Sequence, residues 1–247
     1  MRIAVAGGTG AVGTHVVAVV RARGHEAVIL ARSAGVDVVT GRGLDAALVG
    51  VDAVIDTASV STLRREEAIA FFAGSSRTLL AAEARAGVTR HVVLSIVGID
   101  GSVSGYYAGK LAQEEVVETG GVPWTIQRAT QFHEFAEQMY ARAKVGPVHI
   151  APRMRTQPIA AAEVAERLVE LAESPAAGRV VDIAGPREES LVEMIRAYAR
   201  ASGHRGWIPA ISFPGAAGRE QRDGSLLPRP GAMLGLQTFA EWLAQRR

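Results

Sequence analysis

Cysteine is absent from all 247 residues, which excludes disulfides, thiolate nucleophiles and zinc-thiolate sites together and leaves the compartment open. Long apolar runs are missing too. Although 48% of the chain is hydrophobic, no uncharged stretch approaches the roughly 18 residues that a membrane span needs. Nor does one sign of charge dominate: 27 basic residues face 25 acidic ones, and they interleave, as in Arg64-Arg65-Glu66-Glu67. That pattern reads as a solvated surface, so neither a nucleic-acid partner nor a membrane is expected. There is no G-x-S-x-G and no H-E-x-x-H. Gly105 to Lys110 ends in Gly-Lys but lacks P-loop spacing and runs on into Leu111. With six scattered histidines, no metal site is expected. The apolar strand Ile3 to Ala6 starts too early to leave room for a secretory leader, and a cytoplasmic location is expected.

What is present is an alternation. Short β-branched runs, at Ile3–Ala6, Ala27–Leu30, Val36–Thr40, Ala53–Asp56, His91–Ser95 and Thr125–Gln127, are separated by segments with apolar residues three and four apart, at Thr14–Arg23, Arg65–Ala86 and Lys110–Glu118. Strands spaced by helices imply crossover connections and a parallel sheet. The pattern continues with helices over Ala162–Glu173 and Leu191–Ala201, a strand at Val180–Ile183 and a closing helix at Phe239–Gln245. The stretch from Gly203 to Pro230, rich in Gly, Pro and Arg without periodicity, reads as a mobile loop. The expected architecture is one α/β domain over residues 1–247, a Rossmann-type doubly wound parallel sheet with a small C-terminal substrate-facing extension. Its cofactor half should span about residues 1–135, and its substrate-facing segments about 136–160 and 185–235.

The first strand runs into Gly7-Gly8-Thr9-Gly10-Ala11-Val12-Gly13, which opens the first helix. Glycines at such a strand-to-helix turn let backbone approach a pyrophosphate, the helix N-terminus offers unpaired N–H groups, and the last glycine permits close helix–strand packing. Gly7, Thr9, Gly10, Ala11, Val12 and Gly13 are therefore candidate dinucleotide contacts; a tight turn with no ligand is the alternative. An NAD site would place an acid on the ribose 2′-hydroxyl near the end of the second strand, but the chain there reads Leu30-Ala31-Arg32-Ser33. Arg32, with Ser33, suits the 2′-phosphate of NADP(H) through a planar fork of donors.

The turn, Arg32, the block His91-Val92-Val93-Leu94-Ser95-Ile96-Val97-Gly98 and the following Gly105-Tyr106-Tyr107-Ala108-Gly109-Lys110 together resemble the short-chain dehydrogenase/reductase (SDR) superfamily. Pro123 to Phe132, Gln157-Pro158-Ile159, Glu163-Val164-Ala165 and Ala184-Gly185-Pro186 extend the likeness over nearly the whole chain, and the narrower resemblance is to the atypical, NmrA-like branch. The resemblance implies that Tyr106 and Lys110 form the catalytic Tyr-x-x-x-Lys pair. Four residues apart on a helix, they share a face, and an ammonium near the phenol would lower its pKa while also binding the nicotinamide ribose; Ser95 is likewise a candidate cofactor contact. The same resemblance places Thr57, Ala58 and Ser59 along the cofactor's ribose and Ala129 and Thr130 beside the nicotinamide, and makes Gln131, Phe132 and His133 candidate substrate contacts. His133 is also a candidate general acid, against a structural role. Two departures stand out: where the superfamily's catalytic serine is expected the chain has Ile96 and Val97, leaving Ser95 as the nearby hydroxyl, and asparagine, the last member of the superfamily's tetrad, occurs nowhere. Lysine occurs only twice, at Lys110 and Lys144, so its presence at the motif position weighs toward use.

Three functions fit this reading. One is an NADPH-dependent oxidoreductase that reduces a small apolar carbonyl, quinone or enone. Another is a non-enzymatic NADP(H)-binding redox sensor of NmrA type, and the third a redox-neutral isomerase or epimerase using bound NADP+. The substrate, the direction of hydride transfer and the oligomeric state are not encoded in any recognisable motif.

Overall fold

A computed structural model describes residues 1–102 and 104–246. Five parallel strands carry the architecture: β1 (Arg2–Ala6), β2 (Glu26–Leu30), β3 (Ala53–Asp56), β4 (Arg90–Ile96) and β5 (Trp124–Ala129). The helices are α1 (Gly13–Ala22), α2 (Leu44–Ala47), α3 (Arg65–Ala86), α4 (Gly105–Glu118), α5 (Phe135–Arg142), α6 (Ala161–Glu173), α7 (Leu191–Ala201), α8 (Gly215–Asp223) and α9 (Phe239–Ala244). Across the sheet the order is Met233–Leu234, Ile183–Ala184, β5, β4, β3, β1, β2, with Gly178–Arg179 also paired to β5. Every pairing in it is parallel. The order reverses at β1, which lies between β3 and β2, and such a switch point opens a crevice at the carboxyl ends of the strands.

Strand alternation builds both layers. Ile3 and Val5, Ala53 and Ile55, Val92 and Leu94 face α1 and α6; Ala4, Ala6 and Val54 face the other way, with Leu79 and Ala82 of α3. Val93, with Leu80 and Val117, fills the space between β4 and the α3–α4 pair. Both faces are covered, so the strands read as continuous apolar runs instead of alternating ones. Val16 and Val20 of α1 are fully buried, and each contributes about 1.5–3 kcal/mol by leaving water. Beyond β5, α5, α7 and α9 form smaller clusters, one gathering Met154, Leu191, Ile195 and Leu226 around Tyr107 of α4.

Three expectations are corrected. Val36–Thr40 is not a strand but a loop folded under the edge of the sheet. Gly35, Gly41 and Gly43 all adopt positive φ, the Asp37 side chain accepts from the Val39 amide (2.9 Å), and Val36 joins Leu44 and Leu48 in the core. The strand expected at Val180–Ile183 is split, because the Gln127 side-chain amide inserts there and donates to the carbonyls of Arg128 and Val181, both at 2.9 Å. The stretch from Gly203 to Pro230 holds α8. Gly218 is the helix's buried residue, so no apolar period betrays it; a Cβ there would lie 1.9 Å from the Phe213 carbonyl oxygen.

Candidate active site at the switch point

The candidate residues converge because each follows the carboxyl end of a neighbouring parallel strand. Gly7 follows β1, Arg32 lies just past β2, Thr57 follows β3, Ser95 stands one residue before the end of β4, and Ala129 ends β5 with Thr130 and Gln131 after it. Within the turn the glycines serve different ends. Gly7 adopts φ +72°, and a Cβ on it would lie 2.8–2.9 Å from the Thr57 carbonyl and the Ala58 backbone. One on Gly13 would lie 2.1 Å from the Gly7 oxygen. Gly10 is exposed and has only the Gly7 oxygen nearby, at 3.2 Å, so its bare backbone faces outward. Thr9 and Ala11 are exposed beside it, whereas Val12 and Gly13 are buried. No side chain caps α1 and no acid stands in its first turn. The positive end of the helix dipole and its orphan N–H groups are thus presented to the crevice, which fits a pyrophosphate.

Arg32 begins a single 3₁₀ turn, Arg32–Ala34, placed beside the glycines by the Gly7 amide, which donates to the Leu30 carbonyl (3.2 Å). Among the described residues its guanidinium has no hydrogen-bond or ion-pair partner, and Ser33 next to it is exposed. Asp37 is the nearby acid, but its carboxyl is held below the usual range first by the Val39 amide and only last by Arg32.

On the other side of the turn, the Thr57 hydroxyl donates to the Ala6 carbonyl (2.8 Å) and the Ala58 amide to Asp56 Oδ1 (2.9 Å). This pins the segment that ends in exposed Ser59, whose Oγ lies 2.8 Å from the Tyr106 hydroxyl. Tyr106 stands in the first turn of α4, its ring edge-on to Phe72 with centroids 5.3 Å apart. The approach leading to it is anchored by Arg128 of β5, which donates to both oxygens of Asp100 (2.6 and 2.8 Å) and to Glu114 (2.8 and 2.7 Å).

Lys110 departs from expectation. It shares a helix with Tyr106, but its Nζ donates to the Leu94 carbonyl (2.6 Å) and to Gln113 Oε1, and it lies 4.8 Å from the centre of the Phe72 ring. Lowering of the phenol pKa by a neighbouring ammonium is therefore not what the geometry provides. Burial raises the phenol instead, opposed by the hydrogen bond from Ser59. Burial pushes Lys110 down to about 8, against the raising influence of Asp56 and Glu114. A base whose folded pKa lies below its unfolded value of 10.5 lets the unfolded chain bind more protons between the two, so its contribution to stability rises as pH climbs through that window. Relative to Lys110→Met, the wild type should gain about 3 kcal/mol between pH 8 and 10.5; urea unfolding of both proteins across that range measures it, and a flat difference would contradict the burial argument.

Ser95 shares the face of β4 that carries Val93, and its Oγ is buried without a partner, so a hydroxyl donor is available near Lys110's helix. Ala129 and Thr130 are buried at the end of β5; the Thr130 hydroxyl is consumed by the Gln157 carbonyl (2.6 Å). Gln131 accepts from the Thr156 hydroxyl (2.7 Å) and leaves its buried Nε2 without a partner, close to Tyr107. Phe132 packs on the core over α1 and α6. His133 does not reach the crevice: it is fully buried, its Nε2 meets the Gln237 carbonyl (3.0 Å), and Phe239 and Trp242 of α9 flank its ring. Burial holds it below the ordinary imidazole value, as suits a neutral core histidine and not a general acid.

Residues 7–175 match the NAD(P)H-binding family. The chain belongs to that family. Solved structures similar to this chain along its whole length include the UDP-glucose 4-epimerase of Thermus thermophilus in complex with NAD, at 20% identity over 100% of this chain and 93% of that one, with a TM-score of 0.67. An SDR-superfamily protein of Agrobacterium tumefaciens with bound NAD matches at 18% identity over 99% and 95%, TM-score 0.70. The Bordetella bronchiseptica enzyme WbmH in complex with NAD+ matches at 15% identity over 98% and 95%, TM-score 0.75. At these identities the likeness is one of fold. No curated protein gave a significant sequence match. Among the described residues, no helix of this protein is long and apolar enough to cross a membrane.

Proposed function

We propose that this chain is an NADP(H)-dependent reductase of the atypical SDR type, acting on a small apolar molecule bearing a carbonyl, quinone or enone, with Tyr106 as proton donor. The observation that carries the reading is the Ser59–Tyr106 hydroxyl pair, 2.8 Å apart, beside the glycine turn and with the Lys110 ammonium turned away. A phenol in that setting keeps its proton, which is the form a reduction consumes. An epimerase or a dehydrogenase working through Tyr106 needs the phenolate as base. When bound, the nicotinamide supplies hydride. Around it, the α1 N-terminus and Gly10 would hold the pyrophosphate, Arg32 and Ser33 the 2′-phosphate, and Thr57 to Ser59 and Ala129 would line the ribose and nicotinamide. Ser59 orients the phenol, and Tyr106 delivers its proton to the substrate oxygen. Gln131 and Phe132 would border the substrate.

The direct test is NADPH oxidation against a panel of quinones, aldehydes, ketones and enones. Turnover supports the reading; tight NADPH binding with none across the panel would shift it to a dinucleotide sensor, the reading favoured by the missing serine and asparagine of the tetrad. Cofactor choice has its own prediction. Arg32→Ala should weaken NADP(H) by roughly 10–100-fold, the worth of a charge-assisted pair, and leave NAD(H) unchanged. Isothermal titration with both dinucleotides measures this, and equal losses for the two would remove Arg32 from the 2′-phosphate.

A further inference from the structure

Lys110 and Tyr106 lie on one helix, yet the connection between them runs through β3. Asp56 ends an entirely buried strand and is 1% exposed. Its Oδ1 accepts from the Ala58 amide at 2.9 Å, which fixes the backbone one residue ahead of Ser59. Its Oδ2 accepts from Gln113 Nε2, also at 2.9 Å, and the same nitrogen donates to Ser76 Oγ of α3 at 3.0 Å. A carboxylate only accepts, so it dictates which way the Gln113 amide points. With the amide nitrogen so engaged, Oε1 is left facing Lys110, whose Nζ donates to it and to the Leu94 carbonyl.

We propose that Asp56 and Gln113 are positioning residues that hold Lys110 and the Ser59–Tyr106 pair in register; the consequence for turnover rests on the reductase reading. Packing alone does not account for the set. A lysine, a glutamine and an aspartate, all buried, could be replaced by apolar groups of similar volume at little cost or with gain, whereas this chain of bonds begins at one candidate catalytic side chain and ends at the backbone carrying the partner of the other. The network also reaches the cofactor turn, since Thr57 and Ala58 are the residues against which Gly7 packs.

The donor logic supplies a test that a structural role would not pass. In Asp56→Asn, keeping the bond to Ala58 leaves an amide nitrogen facing Gln113, which must turn over and aim its own nitrogen at the Lys110 ammonium. The expected result is a fall in kcat of roughly 10²-fold, the scale of a misplaced catalytic group, with little change in KM. Adding Gln113→Glu restores an acceptor both for the amide introduced on β3 and for Lys110, and should recover at least about tenfold of that loss. The second readout is independent of activity: with four tyrosines in the chain, ¹³Cζ-tyrosine labelling resolves Tyr106, assigned through Tyr106→Phe. Its signal should move in Asp56→Asn and return in the double variant. An unmoved signal, or a double variant no better than the single one, overturns the proposal. If the wild type reduces nothing, the reductase reading falls while the tyrosine signal still decides the coupling. Should Asp56→Asn not fold, Gln113→Met cuts the same link, and the same shift or its absence decides.

Discussion

Gly13→Ala is expected to lower folding stability by about 1–3 kcal/mol and to abolish measurable dinucleotide binding, whereas Gly10→Val should abolish binding while leaving the unfolding midpoint nearly unchanged. The contrast follows from what each missing Cβ would meet. At Gly13 it is the backbone of Gly7 and Gly8, at 2.1–2.8 Å, and no side-chain rotation relieves a backbone against a backbone. The turn must open, and with it the contact that seats Gly7 against Thr57 and Ala58. At Gly10 a single oxygen lies within reach, at 3.2 Å, so the protein tolerates the side chain, but the branched group occupies the ground that a pyrophosphate needs next to the helix N-terminus. Thermal unfolding together with NADPH fluorescence titration separates the two. Retained binding in Gly10→Val would show that the phosphates do not lie over this turn.

Tyr106→Phe is expected to reduce kcat by roughly 10²–10⁴-fold, the usual range for losing a positioned proton donor, with the Kd for NADPH unchanged. The ring stays in its edge-on contact with Phe72, so the deletion is confined to one oxygen. Ser59→Ala should show a smaller loss, because it removes the hydroxyl that aims the phenol. Burial moves the phenol upward from its ordinary value of 10.0, so a decline in rate from its ionisation should appear only above that pH. Single-turnover kinetics across pH measure both effects. A rate in Tyr106→Phe within a few-fold of wild type would assign proton delivery elsewhere, with Ser95 and its unpartnered hydroxyl the first place to look.

Much of this was visible in the residues alone, and the exceptions have physical causes. The βαβ alternation and the glycine turn are local patterns, and β1, α1 and β2 follow them within a residue, whereas α4 begins at Gly105, five residues before the expected Lys110. Val36–Thr40 misleads because β-branched residues are equally at home in a loop that buries them, and the surrounding left-handed glycines override strand propensity. His133 reads as a site residue because it follows Gln131, but its environment comes from α9, more than a hundred residues downstream. Conversely, Asp56 announces itself: a carboxylate closing the run Ala53-Val54-Ile55 must have a partner inside the protein. Gln113 carries the same message on the inner face of α4. Spacing on a helix placed Lys110 with Tyr106 correctly but said nothing of where the long lysine side chain would turn, which Leu94 and Gln113 decide.

The loop that replaces a strand outside β2 has a consequence for how such a protein changes over generations. Within residues 31–51, Val36, Leu44 and Leu48 are built into the core, whereas Arg32 and Ser33 stand exposed just past the edge strand. Exchanges of Arg32 and Ser33 can therefore accumulate there without disturbing the register of β1, β3 and β4, on which Ser59 and Lys110 depend. Preference for one dinucleotide over the other and the apparatus for moving a proton are thus separable inheritances, free to drift at different speeds within one chain.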